Sequence, residues 1–482
     1  MIRFILHLRP RSFLILQKWV LATASKTIER GRLSIHSSSY VRKWAWIAPV
    51  IGVVAGLGAV LFYNSLTIAT HFFLNYINHY QIPLPGGEGA NPGSGSFTRP
   101  LLIPVVVTIG AIGSGFLVSR FAPEAKGHGT DAAISAVFYH PKGIRVRAVI
   151  VKIFASALTI GSGGSGGREG PTGQISAGFG SLLSKVLRLS NSDSRIAVSS
   201  GIGSGIGAIF GAPFGGALLA CDILYRDDFD LEAFLPALIA SAVAYAIFGT
   251  FEGYSPIFTY DRRFTPHSFL TLLAFAVLGI FAGGFGILYS KIFWAANNFF
   301  DNIKLPLWVK TGAGGLGVGI IALFIPEVLG TGYGWIQISL DSSFLKIPLW
   351  VVLIMPLARI LATALSIGSG GSGGIFGPGM VIGAFLGAAF WRVFEPLAPF
   401  LGSDPAPYVV VAMAACFGSI ARAPIAVTVM VLEMTGNISI LEPVVIAVAV
   451  ATAIVTHFDL SIYEAQLRNR TELKLRLSSE TT

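Results

Sequence analysis

Charge is what this 482-residue chain has least of. Asp, Glu, Lys and Arg make up 12% of it, against about 25% in an ordinary soluble domain, while 53% is apolar and the mean hydropathy is +0.70. That shortage excludes an ordinary soluble enzyme and leaves an integral membrane protein. Cysteine is nearly absent: Cys221 and Cys416 are the two in the chain, both in apolar stretches, which argues against a disulfide framework and a zinc site. The glycine-rich runs lack the Gly-Lys-Ser/Thr of a phosphate-binding loop, so nucleotide binding has no support. A secretory leader has none either, because the opening MIRFILHLRPRSFLILQ is broken by charge and Pro10 and shows no clear cleavage site.

What the chain does have is long apolar runs. Residues 44 to 63, 101 to 119, 230 to 248, 266 to 287, 308 to 325, 374 to 391 and 438 to 456 each approach the roughly 20 residues needed to cross a bilayer. Residues 1 to 43 hold nine Lys or Arg against one acid, Glu29, so most of the net charge of +10 sits there. This bias places the N-terminus in the cytoplasm; the C-terminus is expected there too, the cell (inner) membrane is the expected location, and a short amphipathic helix is expected at 12 to 28. Nucleic acid is not an expected partner, since this segment offers only scattered aromatics for base stacking.

The chain also repeats itself. At an offset of 207, ASALTIGSGGSGG (155 to 167) falls on ATALSIGSGGSGG (362 to 374) with 11 of 13 positions identical, and Pro171 falls on Pro378. Downstream, at an offset of 211, Pro213 meets Pro424 and Asp222 meets Glu433. A Gly/Ser run read alone is a flexible linker. These two runs are flanked by apolar spans, recur in register and end in Gly-x-x-Gly-Pro, the pattern of a transport site where broken helices meet near the bilayer midplane.

Lipid cannot satisfy non-helical backbone, so two such breaks imply a polar cavity. Pro171 and Pro378 each sit at the first turn of a new helix, and a helix N-terminus carries free N–H groups and about +0.5 of effective charge, a seat for an anion. A Lys or Arg 4 Å from the ion would add about 4 kcal/mol at an effective dielectric of 20 and trap it. Helix ends hold it more weakly, as conduction requires. Glu169, inside the first break, needs a reason to be there, because a carboxylate within the membrane costs a few kcal/mol. It is either paired with Arg168 or capping the helix, or it competes with the anion for the same N–H groups, as a gate that withdraws on protonation.

Gly167-Arg168-Glu169-Gly170-Pro171, Gly374-Ile375-Phe376-Gly377-Pro378, GAPFGGALLACDI (211 to 223), RAPIAVTVMVLEMTG (422 to 436) and Ile462-Tyr463 resemble the CLC family of chloride channels and proton-coupled chloride antiporters over nearly the whole membrane part. The resemblance implies an all-α integral membrane protein of two inverted-topology repeats with tilted and broken helices. It further implies a homodimer with an anion pathway in each subunit, and chloride as transported ligand with no cofactor or metal. It makes Glu169 the gate and the amides of Ile375 and Phe376 anion donors, with Arg168 and Gly170 beside them and Tyr463 facing the anion from the inner side.

Two departures stand out. The family's GSGIP motif aligns with Gly127-His128-Gly129-Thr130-Asp131, so His128, next to Gly129, replaces the serine that coordinates the anion. Neutral, its ring donates one N–H; protonated, it adds a charge, so transport is expected to depend on pH around about 6 to 7 and anion preference to change. Where many antiporters carry two acids, the second an internal proton acceptor, this chain has Asp222-Ile223. Ile223 cannot carry a proton, which favours a channel over a chloride/proton antiporter. Asp222 and Glu433 read as structural acids near helix ends or paired with cations. Gly163-Gly164-Ser165-Gly166-Gly167 also satisfies the G-x-S-x-G pattern of serine hydrolases, a remote alternative, since Ser372 duplicates it. The Pro171 of GREGP argues against a fluoride exporter. The expected organisation is a basic cytoplasmic segment (1 to 43), a first membrane repeat (44 to 250), a connecting loop (251 to 265), a second repeat (266 to 457), and a C-terminal helix bearing Tyr463 with a short cytoplasmic tail (458 to 482) and no CBS domain.

Overall fold

The computed structural model describes residues 39–94, 97–260, 264 and 268–479. The helix expected at 12 to 28, and nearly all of the basic segment, lie outside them. The described residues form seventeen α-helices. The first eight are α1 (Tyr40–Thr70, continued by a π-helical stretch, His71–Ile77), α2 (Leu102–Phe121), α3 (Thr130–Phe138), α4 (Val146–Gly161), α5 (Glu169–Leu187), α6 (Asn191–Ile209), α7 (Pro213–Asp222) and α8 (Leu231–Glu252). The next eight repeat the order: α9 (Phe269–Asn302), α10 (Leu307–Phe324), α11 (Tyr333–Ser339), α12 (Leu349–Ser366), α13 (Phe376–Phe394), α14 (Ala406–Ile420), α15 (Pro424–Thr435) and α16 (Leu441–His457). Lengths follow the repeat, with 31 and 34 residues in α1 and α9, 9 and 7 in α3 and α11, and 19 each in α5 and α13.

Eight helices among the described residues are long and apolar enough to cross a membrane. One of them, α12, which contains Pro356 and Arg359, is not among the apolar runs read from the sequence. At about 1.5 Å per residue, α1 is roughly 46 Å long. It starts at Tyr40, whose hydroxyl donates to the Glu232 carbonyl, and Arg470 lies 3.9 Å from the Glu232 carboxylate. Both ends of the described chain therefore share one face, while the loop carrying Glu88 lies at the far end of α1.

The two glycine-rich breaks meet, and the way they meet gives the repeats their inverted sense. Gly167 and Gly374, equivalent at the offset of 207, pair as an antiparallel bridge, each N–H donating to the other's carbonyl at 2.8 and 2.7 Å. Equivalent residues facing each other antiparallel require a two-fold axis between them. The side chains obey it: Ser165 bonds Thr363 and Ser372 bonds Ser156, both at 2.9 Å. Each break turns on a glycine in the left-handed region, Gly163 at φ +111 and Gly370 at φ +101, which L side chains rarely occupy.

Two buried cations support the breaks. Lys152 of α4 donates to the carbonyls of Ala125 and Gly127 at 3.2 and 2.7 Å. Its equivalent, Arg359 of α12, donates to those of Val328, Gly330 and Thr331 at 2.7, 2.8 and 2.6 Å. The loops they hold are themselves equivalent, at an offset of 203: Pro123-Glu124-Ala125-Lys126-Gly127-His128-Gly129-Thr130 answers Pro326-Glu327-Val328-Leu329-Gly330-Thr331-Gly332-Tyr333. Polar backbone that lipid could not satisfy is thus bonded within the protein.

The same axis relates two acid caps. Glu433, near the end of α15, accepts from Phe214 N and Gly215 N at 3.1 and 2.6 Å, at the start of α7. Asp222, at the end of α7, accepts from Ala426 N at 3.3 Å, at the start of α15. Each carboxylate sits on free N–H groups of the other repeat, where the helix dipole favours negative charge.

The C-terminal helix, α17 (Arg470–Ser479), begins later than the sequence reading placed it, and Tyr463 precedes it in a non-helical segment. The reason lies in the backbone partners of that segment. Ile462 N donates to Ile420 O at 2.8 Å, Trp294 Nε1 donates to Ile462 O at 3.2 Å, and the Gln466 amide donates to Ile223 O and Ala421 O at 2.9 Å each. These bonds draw the chain inward and leave no i to i−4 ladder.

Candidate anion site

Glu169 is the first residue of α5, buried with 1% of its surface exposed. Its partner is not the adjacent Arg168. The carboxylate Oε1 accepts from the backbone N–H of Phe376 at 2.7 Å, and Oε2 accepts from the Tyr333 hydroxyl at 3.3 Å, with the Gly377 amide a further donor. Phe376 is itself the equivalent of Glu169 at the offset of 207, and starts α13. The acid of one repeat thus occupies the helix N-terminus of the other. An anion bound at the Phe376 amide and the ionised Glu169 carboxylate exclude each other.

Arg168 turns the other way. It pairs with Glu88 at 2.5 Å, and its guanidinium lies over the rings of Tyr63 and Tyr333 at 5.4 and 5.0 Å. A cavity of about 320 Å³ on the Glu88 face reaches it, lined also by Thr331, Gln81 and His71. Gly170 must be glycine, since a Cβ there would overlap the carbonyl of His128. Gly129, at φ +85, starts α3, and a Cβ on it would meet Gln174 Oε1 and the end of Lys152.

Beneath Glu169, on the side of the C-terminal segment, stand His128 and Tyr463. Their rings are 5.8 Å apart, and Phe293 and Trp294 complete the surround of the imidazole at 6.1 and 6.3 Å. His128 Nε2 lies 3.1 Å from Asp131 Oδ2, while its Nδ1 is buried without a partner. Asp131 also accepts from Glu464 N and Ala465 N at 3.3 and 3.0 Å, which ties the C-terminal segment to α3. Tyr463 is 1% exposed, within hydrogen-bonding reach of the Thr130 hydroxyl, and 6.4 Å from the ring of Phe417, which packs at 4.1 Å on Phe376. On this face a cavity of about 460 Å³ is lined by Trp294, Lys291, Ser461 and Glu464. Burial, then the neighbouring Asp131 carboxylate, push the Glu464 carboxyl above its ordinary range.

Of the residues singled out from the sequence, the structure brings together Glu169, Gly170, His128, Gly129, Phe376 and Tyr463, with Ile375 immediately before α13. Arg168 stands apart at the cavity on the Glu88 face. Ile223 is fully buried and contributes its carbonyl to Gln466. Ser165 spends its hydroxyl on Thr363 in the cross-repeat bond. Tyr333, Asp131, Lys152 and Arg359 were not singled out, although the offset of 203 that relates His128 to Thr331 would have found Tyr333.

The profile of the voltage-gated chloride channel family matches residues 109–456, a stretch that contains both breaks, both buried cations and Glu169. The chain belongs to the voltage-gated chloride channel, or CLC, family. Anion transport is the work of this family. An uncharacterized protein of Methanocaldococcus jannaschii is 31% identical over 396 residues, covering 82% of this chain and 89% of that one. The H(+)/Cl(−) exchange transporter ClcA of Vibrio vulnificus is 30% identical over 412 residues, covering 83% and 84%. Two solved structures share the fold: a slow cyanobacterial Cl−/H+ antiporter (TM-score 0.73, 22% identity, 90% of this chain and 98% of that one) and a CLC-type fluoride/proton antiporter (TM-score 0.73, 23% identity, 89% and 100%). The all-α, two-repeat membrane architecture expected from the sequence is the CLC fold.

Proposed function

We propose that this CLC protein carries chloride across the membrane through a pathway in each subunit of a homodimer, gated by Glu169, in exchange for protons. The observation that carries the gate is the Glu169 carboxylate seated on the Phe376 amide. An ionised carboxylate and a halide want the same N–H groups, so a proton that neutralises the first admits the second. Exchange is supported by the relatives named as H(+)/Cl(−) exchange transporters and by titratable groups on both sides of the amide, Glu169 on one and His128 with Asp131 on the other. His128, Gly129, Gly170, Ile375, Phe376 and Tyr463 line the anion's route, Arg168, paired with Glu88, stands at its outer mouth, and the face bearing both ends of the described chain is the cytoplasmic one, in the cell (inner) membrane.

Passive conduction is the second reading, favoured by Ile223, which places a side chain that cannot titrate where many exchangers carry an acid. Purified protein in liposomes separates the two when chloride efflux and proton movement are recorded together. Uphill proton movement driven by a chloride gradient is the expected result. A current reversing at the chloride equilibrium potential, whatever the pH gradient, would replace exchange with conduction.

A further inference from the structure

The inner side of this pathway lacks the acid that many exchangers carry, and the two acids at the helix starts are occupied. Asp222 and Glu433 each cap a helix of the opposite repeat, and Ile223 is apolar. One buried titratable side chain with an unused nitrogen remains next to the anion's route. We propose that His128, held by Asp131, is the inner proton carrier of this protein, taking protons from the cavity on the C-terminal face and delivering them to Glu169. The proposal rests on the exchange reading above and names the group that makes it work.

The geometry supplies three parts. Asp131 takes the Nε2 side of the ring at 3.1 Å, and in the neutral ring a proton on Nε2 leaves the lone pair on Nδ1, the buried atom without a partner. The way in from water is short. Trp294, which walls the imidazole, also lines the cavity of about 460 Å³, and Glu464 of the same cavity is joined through its backbone to Asp131. His128 also adjoins the helix that begins with the gate, since its carbonyl lies against Gly170, the residue after Glu169.

The groups that face His128 set the charge balance. Asp131 on α3, Glu464 and the Tyr463 phenol come from the C-terminal segment, and Glu169 from α5. Lys152 on α4 bonds the carbonyl of Gly127, Lys126 is engaged with Asp301 at 2.5 Å, and Lys291 of α9 lies across the cavity with Arg226. Two carboxylates stand closest on the inner side, so an imidazolium is counterbalanced without an anion being present. Histidine suits the task because its ordinary pKa, about 6.5, lies within the physiological range.

The step balances as a transfer of one proton. An O–H of cavity water or of the Glu464 carboxyl breaks, and an N–H forms on Nδ1. When the Glu169 side chain leaves the Phe376 amide and turns toward Tyr463, that N–H breaks and an O–H forms on Glu169, directly or through one water. The imidazole is neutral again, and the protonated gate yields the amide to the anion.

The test is the ratio of proton to chloride flux in proteoliposomes, which a general loss of activity does not change. In the unaltered protein a chloride gradient drives protons uphill. In His128→Ser the ratio falls at least tenfold, and adding Ile223→Glu to that variant restores it in part. Asp131→Asn, which keeps the shape of the site, lowers the ratio in the same direction, and it decides alone if the serine variant does not fold. Coupling in the unaltered protein with an undiminished ratio in either single variant overturns the role of His128 and leaves exchange standing. Chloride flux without proton movement in the unaltered protein overturns exchange itself, and this proposal with it.

Discussion

Replacing the gate carboxylate by its amide, Glu169→Gln, tests the competition at the Phe376 N–H directly. In the unaltered protein the anion binds when that N–H is free, so the apparent dissociation constant is the intrinsic one divided by the fraction of molecules whose gate has withdrawn. If withdrawal requires a proton, then once most gates are ionised that fraction falls tenfold for each unit of rising pH, about 1.4 kcal/mol per unit. The sign is fixed: chloride binds more weakly as pH rises. Between about pH 7.5 and about pH 9, where ordinary histidines are neutral, the loss amounts to about thirtyfold. Glutamine keeps the shape and the oxygen that faces Phe376 but does not titrate, so its curve over the same range is flat. Isothermal titration of chloride into purified protein at several pH values reads both curves. Superimposable curves for the two proteins would refute the competition, even if Glu169→Gln altered transport in some other way.

The gate can also be unseated without being altered. A methyl at Gly374 would overlap Glu169 Oε1 and also press on the carbonyl of Gly167, its partner in the bridge, so Gly374→Ala displaces the carboxylate at some cost to that bridge; chloride affinity should then lose most of its pH dependence, as titration calorimetry would show. Arg359→Met removes three bonds and leaves the carbonyls of Val328 and Thr331 without a partner, whereas Lys152→Met removes two whose carbonyls keep another donor, the Ser372 hydroxyl on Ala125 and the Gly373 N–H on Gly127. At about 1–3 kcal/mol for each unsatisfied group, thermal unfolding in detergent should show both destabilised and the arginine variant more so; the reverse order would contradict the bonding described. Glu433→Gln weakens two charge-assisted bonds and Asp222→Asn one longer one, so the first should lower stability by about 1–2 kcal/mol and the second by less, read from chemical unfolding in mixed micelles.

The parts of the fold legible in the sequence are those that lipid punishes. The glycine runs at 155 to 167 and 362 to 374 could not be exposed to a bilayer, which is why their repetition pointed to a cavity and to two opposed helix ends before any coordinates. The need of Glu169 for a partner was legible for the same reason, since a carboxylate in a break requires an electropositive group. That its partner is Phe376 rather than Arg168 was not legible, because it depends on the two breaks meeting antiparallel. Helix α12 is apolar enough to span even with Arg359 in it; what hydropathy does not show is the three carbonyls that receive that charge. Tyr463 was placed on a helix because an apolar run precedes it and a helical one follows. The segment between is shaped by bonds to Ile420, Trp294 and Asp131, all distant in sequence.

The axis between Gly167 and Gly374 carries one more implication. Were the two repeats identical, the molecule would look the same from either side of the bilayer, and nothing in it could tell inward from outward. Left and right of that axis, Glu169 answers to Phe376, His128 to Thr331, and Thr130 to Tyr333. Among the many positions at which the two repeats differ, these pairs stand at the meeting of the breaks, and exchanging their members would test how far they set inward apart from outward.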